Sequence, residues 1–225
     1  MKGGVNTIAK KKKLKEDGIL FCGSNATDVT GSMTLIKFGG KQILLECGLY
    51  QDNSYLEAYK VNSEKFKFDP TEIDYVFVGH THIDHIGLLP RLVKEGFAGK
   101  IILTYATSVM AKYLLLNCAF IVADEARVLS KRYGREYEPL YSEDDVWNTI
   151  KLFHVYDEYD SLYHLDDVVT FQWLKNSHCV GAAQLQLILN DGLKKCKVLY
   201  TSDIGALETK NHYVENTEIP HFCVN

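Results

Sequence analysis

A buried strand that ends in a cluster of metal-ligand side chains is the feature that most constrains this sequence. Residues 75–78 (YVFV) are continuously apolar and stop at Gly79, a pattern typical of a strand covered on both faces. The four candidate ligands that follow within six residues are His80, His82, Asp84 and His85. Residues two apart in an extended chain point to the same side, so His80 and His82 can converge on one ion.

The last two ligands of this cluster, Asp84 and His85, come where the chain turns toward a helix. They aim elsewhere and therefore suit a second ion close to the first. Imidazole and carboxylate are the ligands that zinc prefers, whereas calcium, which takes only oxygen ligands, has no use for three histidines. The alternative is a histidine-rich surface loop with incidental zinc affinity, but such a loop needs no buried strand leading into it. The cluster therefore predicts zinc, with two sites.

Two further candidate ligands lie far along the chain. His178 follows an apolar strand, and Asp203 ends another. Taken alone, His178 is more often a hydrogen-bonded structural histidine, and Asp203 more often a helix cap or a turn residue. Both nevertheless stand at strand ends, where the loops of an α/β sheet gather to form a site.

The rest of the chain predicts a mixed α/β layered fold, because strands come in bunches with helices between them. Further strands are expected at residues 19–22, 33–38, 42–46, 100–104, 168–174, 184–189 and 197–201. Helices are expected at residues 87–95, 107–131 and 143–152. In the long helix, an apolar stripe recurs at Val109, Tyr113, Leu116, Phe120 and Ala123.

Bulk properties favour a cytoplasmic globular protein. The chain has 225 residues, is 46% hydrophobic and carries a net charge of −4, so it is not a generally basic nucleic-acid binder. Its six cysteines form no C-x-x-C pair, which favours free thiols in a reducing compartment. We expect no membrane partner, because no segment reads as roughly 18 apolar residues and no signal peptide follows the lysines of residues 10–15. Residues 1–17 are predicted to form a basic tail, solvated or weakly attracted to phosphates, and residues 18–225 one domain.

Three motifs resemble the metallo-β-lactamase superfamily. The run from His80 to His85 matches its H-x-H-x-D-H signature, and the segments at residues 177–183 and Thr201-Ser202-Asp203 resemble its later motifs. Residues 28–32, 45–51 and 87–90, with the long helix after residue 105, look like the RNA-cleaving β-CASP branch. The sequence departs at Glu46, where the family more often has aspartate, and at Ser202, often glycine.

The resemblance implies an αββα-type layered fold that holds two zinc ions. Carried over by motif, the ligands of the first ion would be His80, His82 and His178, and those of the second Asp84 and His85. Asp203 would bridge the two ions. Asp84 is also the expected catalytic residue, orienting the attacking water as a general base.

The family pattern also implies segments that this sequence does not match. A C-terminal closing segment, which supplies a last histidine to the second zinc, and the β-CASP cap are expected to be absent, leaving the domain incomplete at its C-terminus. His212 and His221 stand too close to Asp203 to match that histidine. The chain is thus expected to be a fragment or a half completed by a partner or a second copy, and a poor nuclease alone.

Three functions are compatible with these features. The leading one is a zinc-dependent RNA phosphodiesterase of β-CASP type that acts on single-stranded RNA. The second is a metallo-hydrolase with a small thioester or lactone substrate, because fold does not fix the substrate. The third is a non-catalytic scaffold in an RNA-processing complex. Intact ligands up to Asp203 favour catalysis, whereas the missing segments favour the scaffold.

Overall fold

The computed structural model of the protein describes residues 16–23, 30–210, 213–214 and 216–219. Several features noted in the sequence lie outside these residues, namely residues 1–15 of the basic tail, Asp28, His212 and His221. The domain boundary predicted after residue 17 stays a prediction.

The first of two sheets has six strands in the order of the chain. It begins with an antiparallel meander of β1 (Gly18–Phe21), β2 (Thr34–Phe38) and β3 (Lys41–Leu45). Strands β4 (Tyr75–Phe77), β5 (Lys100–Leu103) and β6 (Phe153–Val155) then add in parallel to β3. Parallel strands need crossovers, and the helices supply them.

The second sheet is a four-stranded antiparallel meander. It consists of β7 (Tyr163–His164), β8 (Val169–Lys175), β9 (Ala183–Asn190) and β10 (Lys195–Tyr200). One face of β8 presents Val169, Phe171 and Trp173, all fully buried, because alternate residues of a strand point the same way. This face packs on the first sheet, where Phe77 meets Phe171 edge to face with ring centroids 5.0 Å apart.

Helices cover the other face of the first sheet. They are α1 (Tyr55–Ser63), α2 (Ile83–Ile86), α3 (Leu89–Lys94), α4 (Tyr105–Tyr133) and α5 (Glu143–Ile150), with a 3-10 turn at Pro70–Glu72. A second apolar core lies between this helical layer and the sheet, and a smaller cluster packs α1 against α4. The α/β layered fold predicted from the sequence is confirmed. Among the described residues it has three layers, helix, sheet and sheet, and the outer face of the second sheet carries none of these five helices.

The buried face of α4 differs from the apolar stripe seen in the sequence. Val109, Tyr113 and Phe120 are 42%, 64% and 75% exposed, and the stripe that they form faces away from the core. The buried positions are instead mostly small residues, such as Ala111 and Cys118. Small side chains let a long helix approach the sheet closely, which periodicity alone does not reveal.

Helix α4 is longer and more apolar than we expected of any segment from the sequence. It spans 29 residues and is apolar enough, by length and composition alone, to cross a membrane. The earlier judgement was wrong because it looked for an unbroken apolar run. A third of the most apolar part of α4 is buried inside the protein.

The two sheets are arranged so that four strands end at one edge. Strands β3 and β4 are parallel, so Glu46 and Gly79 follow their carboxyl ends side by side. In the second sheet β8 and β10 run in the same direction, because each is antiparallel to β9. The backbone N–H of Ala183 donates to the carbonyl oxygen of Gly79 at 2.8 Å, which joins the two sheets at this edge.

Candidate metal centre

Four of the predicted ligands converge into one compact group. One ligand atom from each of His80, His82, His178 and Asp203 lies within 4.8 Å of all the others. His178 Nε2 is 3.2 Å from His82 Nδ1, and Asp203 Oδ2 is 3.6 Å from His178 Nε2. Asp203 Oδ2 is also 3.8 Å from His80 Nε2. Three imidazoles and one carboxylate in this space make a donor set suited to a four-coordinate transition metal.

Asp203 also faces the neighbouring pair of predicted ligands. Its second oxygen, Oδ1, is 3.4 Å from His85 Nε2, and Asp84 Oδ2 is 3.8 Å from that same nitrogen. The two oxygens of Asp203 thus point to different imidazole groups, as a carboxylate shared between two ions must. Asp84 lies outside the compact groups that the described residues form, so this second set is the looser one.

The strand-end loops explain why these residues meet. His82 is extended and is the N-cap of α2. This short helix contains Asp84 and His85 and turns their side chains away from His80 and His82. Their loop is held by Gly48 and its neighbours: Cys47 N–H donates to the His85 carbonyl at 2.8 Å, and Ser32 N–H to the Asp84 carbonyl at 2.8 Å. A Cβ at Gly48 would overlap the Asp84 carbonyl, so only glycine fits there.

The two distant ligands are positioned by Asn176, a residue that the sequence analysis did not single out. Its side chain is buried and its Oδ1 accepts from the N–H groups of His178 and Gly205 at 3.1 and 3.0 Å. Its Nδ2 donates to the carbonyl of Asp203 at 2.7 Å. One amide therefore fixes both loops. The available signal was a polar residue directly after an apolar strand.

The far side of the His178 loop is held by the start of α4. The hydroxyls of Thr104 and Thr107 donate to the Gly181 carbonyl at 2.8 and 2.9 Å. Gly181 has φ +81°, and a Cβ there would lie 2.7 Å from the Thr107 nitrogen. The loop is thus clamped at both ends, which limits the movement of His178.

Glu46 lies behind the ligands, fully buried. Its Oε1 accepts from the N–H of Gly79 and from the hydroxyl of Ser202, both at 3.0 Å, and is 3.5 Å from His85 Nδ1. Ser202 Oγ in turn lies 3.0 Å from His80 Nδ1. The two positions where the sequence departs from the family pattern are therefore in direct contact with each other.

A second compact group of possible ligands consists of Glu46, His80 and His85, all buried. It shares His80 with the first group. Glu46 Oε1 already accepts hydrogen bonds from a backbone N–H and a hydroxyl. We therefore interpret this carboxylate as a hydrogen-bond acceptor behind the ligands and not as a metal ligand.

The environment keeps the central imidazoles in the metal-binding form. Burial, followed by the neighbouring histidines, lowers the pKa of His80 to about 2. Burial also lowers the pKa of His178, partly opposed by Asp203. For His85 burial again favours the neutral form, but hydrogen bonding and charge from Glu46 outweigh it and raise the pKa. Neutral imidazole is the form that binds metals, so His80 and His178 need lose no proton at neutral pH.

An orphaned nitrogen shows that the residues fit a bound cation. His80 Nε2 is buried, has no hydrogen-bond partner and faces the space between the other ligands. A buried nitrogen lone pair without a donor is costly unless an ion takes it. The centre is open on one side, since His82 is exposed and the Asp203 side chain is 46% exposed, which leaves access for a substrate.

The chain is similar to several known proteins. Residues 26–160 match the profile of the metallo-beta-lactamase superfamily. Ribonuclease TTHA0252 from Thermus thermophilus is 43% identical over 100 residues, covering 44% of this chain and 22% of the relative. Endoribonuclease YSH1 from Yarrowia lipolytica is 30% identical over 195 residues, covering 86% of this chain and 21% of the relative.

The chain is also similar to a further curated relative and to a solved structure. Cleavage and polyadenylation specificity factor subunit 3-I of Arabidopsis thaliana is 26% identical over 87% of this chain and 25% of the relative. Among solved structures, BJP-1, a subclass B3 metallo-beta-lactamase of Bradyrhizobium japonicum, gives a TM-score of 0.46 at 17% identity, covering 89% of this chain and 64% of that one. The chain spans about a fifth to a quarter of the length of these three curated relatives.

Proposed function

The chain belongs to the metallo-β-lactamase superfamily, and from that premise we propose that it carries the metal centre of a zinc-dependent ribonuclease of the β-CASP branch. The proposal depends mainly on the position of Asp203. One of its oxygens faces His178 and the other faces His85. Support for RNA as the substrate comes from the names of relatives at 43% and 30% identity, a ribonuclease and an endoribonuclease.

The proposed ligand assignment follows the geometry. His80, His82 and His178 with one oxygen of Asp203 would hold the first zinc. Asp84 and His85 with the other oxygen of Asp203 would hold the second. Bound zinc would supply Lewis-acid stabilisation of the charge that builds up on the phosphate and would make water more acidic.

The residues themselves contribute position and proton transfer. Asp84 is partly exposed and is held by the short α2 turn, so its carboxylate can orient a water molecule and accept its proton. The exposed side of His82 and Asp203 leaves an open face on which an extended single strand can lie. A duplex is stiffer and wider than a single strand, so we propose single-stranded RNA as the substrate.

Cleavage of an end-labelled single-stranded RNA by the zinc-loaded protein in excess over RNA tests the proposal. We expect metal-dependent cleavage that Asp84→Asn slows by about 10²–10⁴-fold, the usual contribution of a positioned proton acceptor. The matched control is Asp144→Asn, an exposed carboxylate in the first turn of α5, which should cleave RNA like the unmodified protein.

Two outcomes would contradict the proposal. Intact RNA together with hydrolysis of a thioester or lactone by the same preparation would point to a small-substrate hydrolase. Full zinc occupancy with no turnover of any of these substrates would point to a non-catalytic subunit.

A further inference from the structure

The hydroxyl of Ser202 stands between a buried carboxylate and a buried imidazole. Its Oγ is 3.0 Å from Glu46 Oε1 and 3.0 Å from His80 Nδ1. Gly79 leaves the room for this contact, because a Cβ there would lie 2.7 Å from Ser202 Oγ and 2.9 Å from Glu46 Oε1. The three side chains form a continuous chain of hydrogen bonds behind the proposed metal site.

The direction of the protons in this chain is fixed by what each group can donate. Ser202 Oγ donates to Glu46 Oε1, and a serine hydroxyl has only one hydrogen to give. Glu46 Oε1 receives the Gly79 N–H at 3.0 Å, the contact of an acceptor. Ser202 therefore donates its hydrogen to Glu46, and it has nothing left to donate to His80. His80 must carry its own hydrogen on Nδ1 and give it to Ser202.

We propose that Ser202 is a positioning residue that fixes the tautomer and ring orientation of His80, so that the bare Nε2 nitrogen faces the metal. Without the hydroxyl, Nδ1 of His80 would have no acceptor, and its hydrogen could move to Nε2, which lies 3.8 Å from Asp203. That second tautomer blocks the nitrogen that the metal needs. The inference rests on the proposed metal centre and not on the identity of the substrate.

The backbone supports a role for the hydroxyl itself. Ser202 adopts φ +51°, the left-handed region in which a side chain costs free energy and glycine does not. Ser202 adopts this conformation, and its hydroxyl makes these two contacts, despite the free-energy cost of the left-handed backbone. Glu46 also adopts a positive φ, +59°, so both partners of the contact sit in strained backbone. Such strain at adjacent site residues persists only where the surroundings hold it.

Two substitutions at this position separate the hydroxyl from the backbone. Ser202→Ala removes the hydroxyl and keeps the left-handed strain, whereas Ser202→Gly removes the hydroxyl and relieves that strain. Both should weaken zinc binding at the first site by about 10- to 100-fold, measured by competition with a chromophoric chelator. Their thermal stabilities should move apart, with the glycine variant the more stable of the two.

The tautomer can be read directly in the metal-free protein. Nitrogen-15 NMR of the imidazole rings should show His80 protonated at Nδ1 in the unmodified chain, with the Nε2-protonated form gaining population in both variants. The control is Ser130→Ala, which removes a hydroxyl that donates to the Ala126 carbonyl at 2.8 Å in α4, far from the site in sequence. It should change neither the zinc affinity nor the His80 tautomer.

The results that overturn the inference are specific. Unchanged zinc affinity in both variants, or an affinity that falls in Ser202→Ala but not in Ser202→Gly, would make Ser202 a structural residue only. An unmodified chain with His80 protonated at Nε2 would overturn the inference as well. If the unmodified chain binds no zinc, the proposed function fails, whereas the metal-free tautomer still decides the role of Ser202.

Discussion

Replacing Gly48 with alanine should displace the turn that carries two of the proposed ligands. A Cβ at this position would overlap the carbonyl of Asp84 and lie 2.8 Å from the Ser32 nitrogen. Both neighbours are backbone atoms, so neither can rotate aside. The segment around Gly48 is tied to the turn by hydrogen bonds from Cys47 to His85 and from Ser32 to Asp84, both 2.8 Å.

The magnitude follows from these contacts. Overpacking a rigid site costs about 1–3 kcal/mol, and each backbone hydrogen bond that the shift breaks adds about 1 kcal/mol. With the two bonds above lost, the free energy of unfolding should fall by about 3–5 kcal/mol. In a domain of this size 1 kcal/mol lowers Tm by about 2–4 °C, so Gly48→Ala should melt roughly 6–20 °C earlier.

The matched control is Gly40→Ala. Gly40 has φ +79° and no atom within 4 Å of an added Cβ, so alanine there meets only the left-handed backbone cost, about 1–2 kcal/mol. Thermal unfolding of the metal-free variants gives the comparison. Zinc titration should show that Gly48→Ala loses the second ion first, because Asp84 and His85 lie on the displaced turn. Equal melting temperatures for the two variants would refute the argument from close approach.

Three further predictions concern other parts of the molecule. Burial alone would raise the pKa of Asp166, but hydrogen bonds led by those from Lys41 and Tyr75 lower it to about 2. These interactions stabilise the folded protein. Because the Asp166 side chain is 22% exposed, solvent screening reduces this stabilisation to about 1–2 kcal/mol. The folded pKa is depressed, so this stability is present above pH 4, and the deficit of Asp166→Asn in urea unfolding should shrink as pH falls toward 2. His178→Ala should lower the zinc content measured by elemental analysis below that of the unmodified chain, which should hold between one and two ions; equal content would contradict the ligand assignment. In α4, Leu115→Ala should lower the free energy of unfolding by about 2–5 kcal/mol, because Leu115 is buried. Phe120→Ala should lower it by less than about 0.5 kcal/mol, because Phe120 is exposed. The reverse order would contradict the orientation of the helix.

Much of the fold was predictable because its strands are short, apolar and punctuated by turns. Strand β9 and its turn at residues 190–192 are examples, and Ser142 does cap α5, with Asp145 completing a capping box. Helices α3 and α5 were predicted from the sequence, whereas α1 and α2 were not. Helix α2 has four residues and exists because the turn is held by contacts distant in sequence. Helix α1 has little apolar periodicity, since only Asn62 of its residues is buried.

The proposed ligands were predictable for a different reason. His80, His82, His178 and Asp203 each follow the end of a strand, Asp84 and His85 lie in the short helix that continues from His82, and these strand ends meet at one edge of the two sheets. The network behind them was not predictable, since it joins residues far apart, with Ser202 and Glu46 separated by 156 positions. No local pattern records such a contact, and the sequence marks these residues only as departures from a family pattern. Asn176 likewise acts only through loops that the sheet brings together.

The placement of the proposed ligands on two sheets has a consequence for the kinetics of folding. His80 and His82 follow β4 of the first sheet, whereas His178 and Asp203 follow β8 and β10 of the second. The four-donor group therefore forms only when the two sheets dock, a step that we expect to follow the transition state of folding. Interactions formed after the transition state slow unfolding and leave the folding rate nearly unchanged, so zinc should lengthen the lifetime of the native protein without hastening its formation.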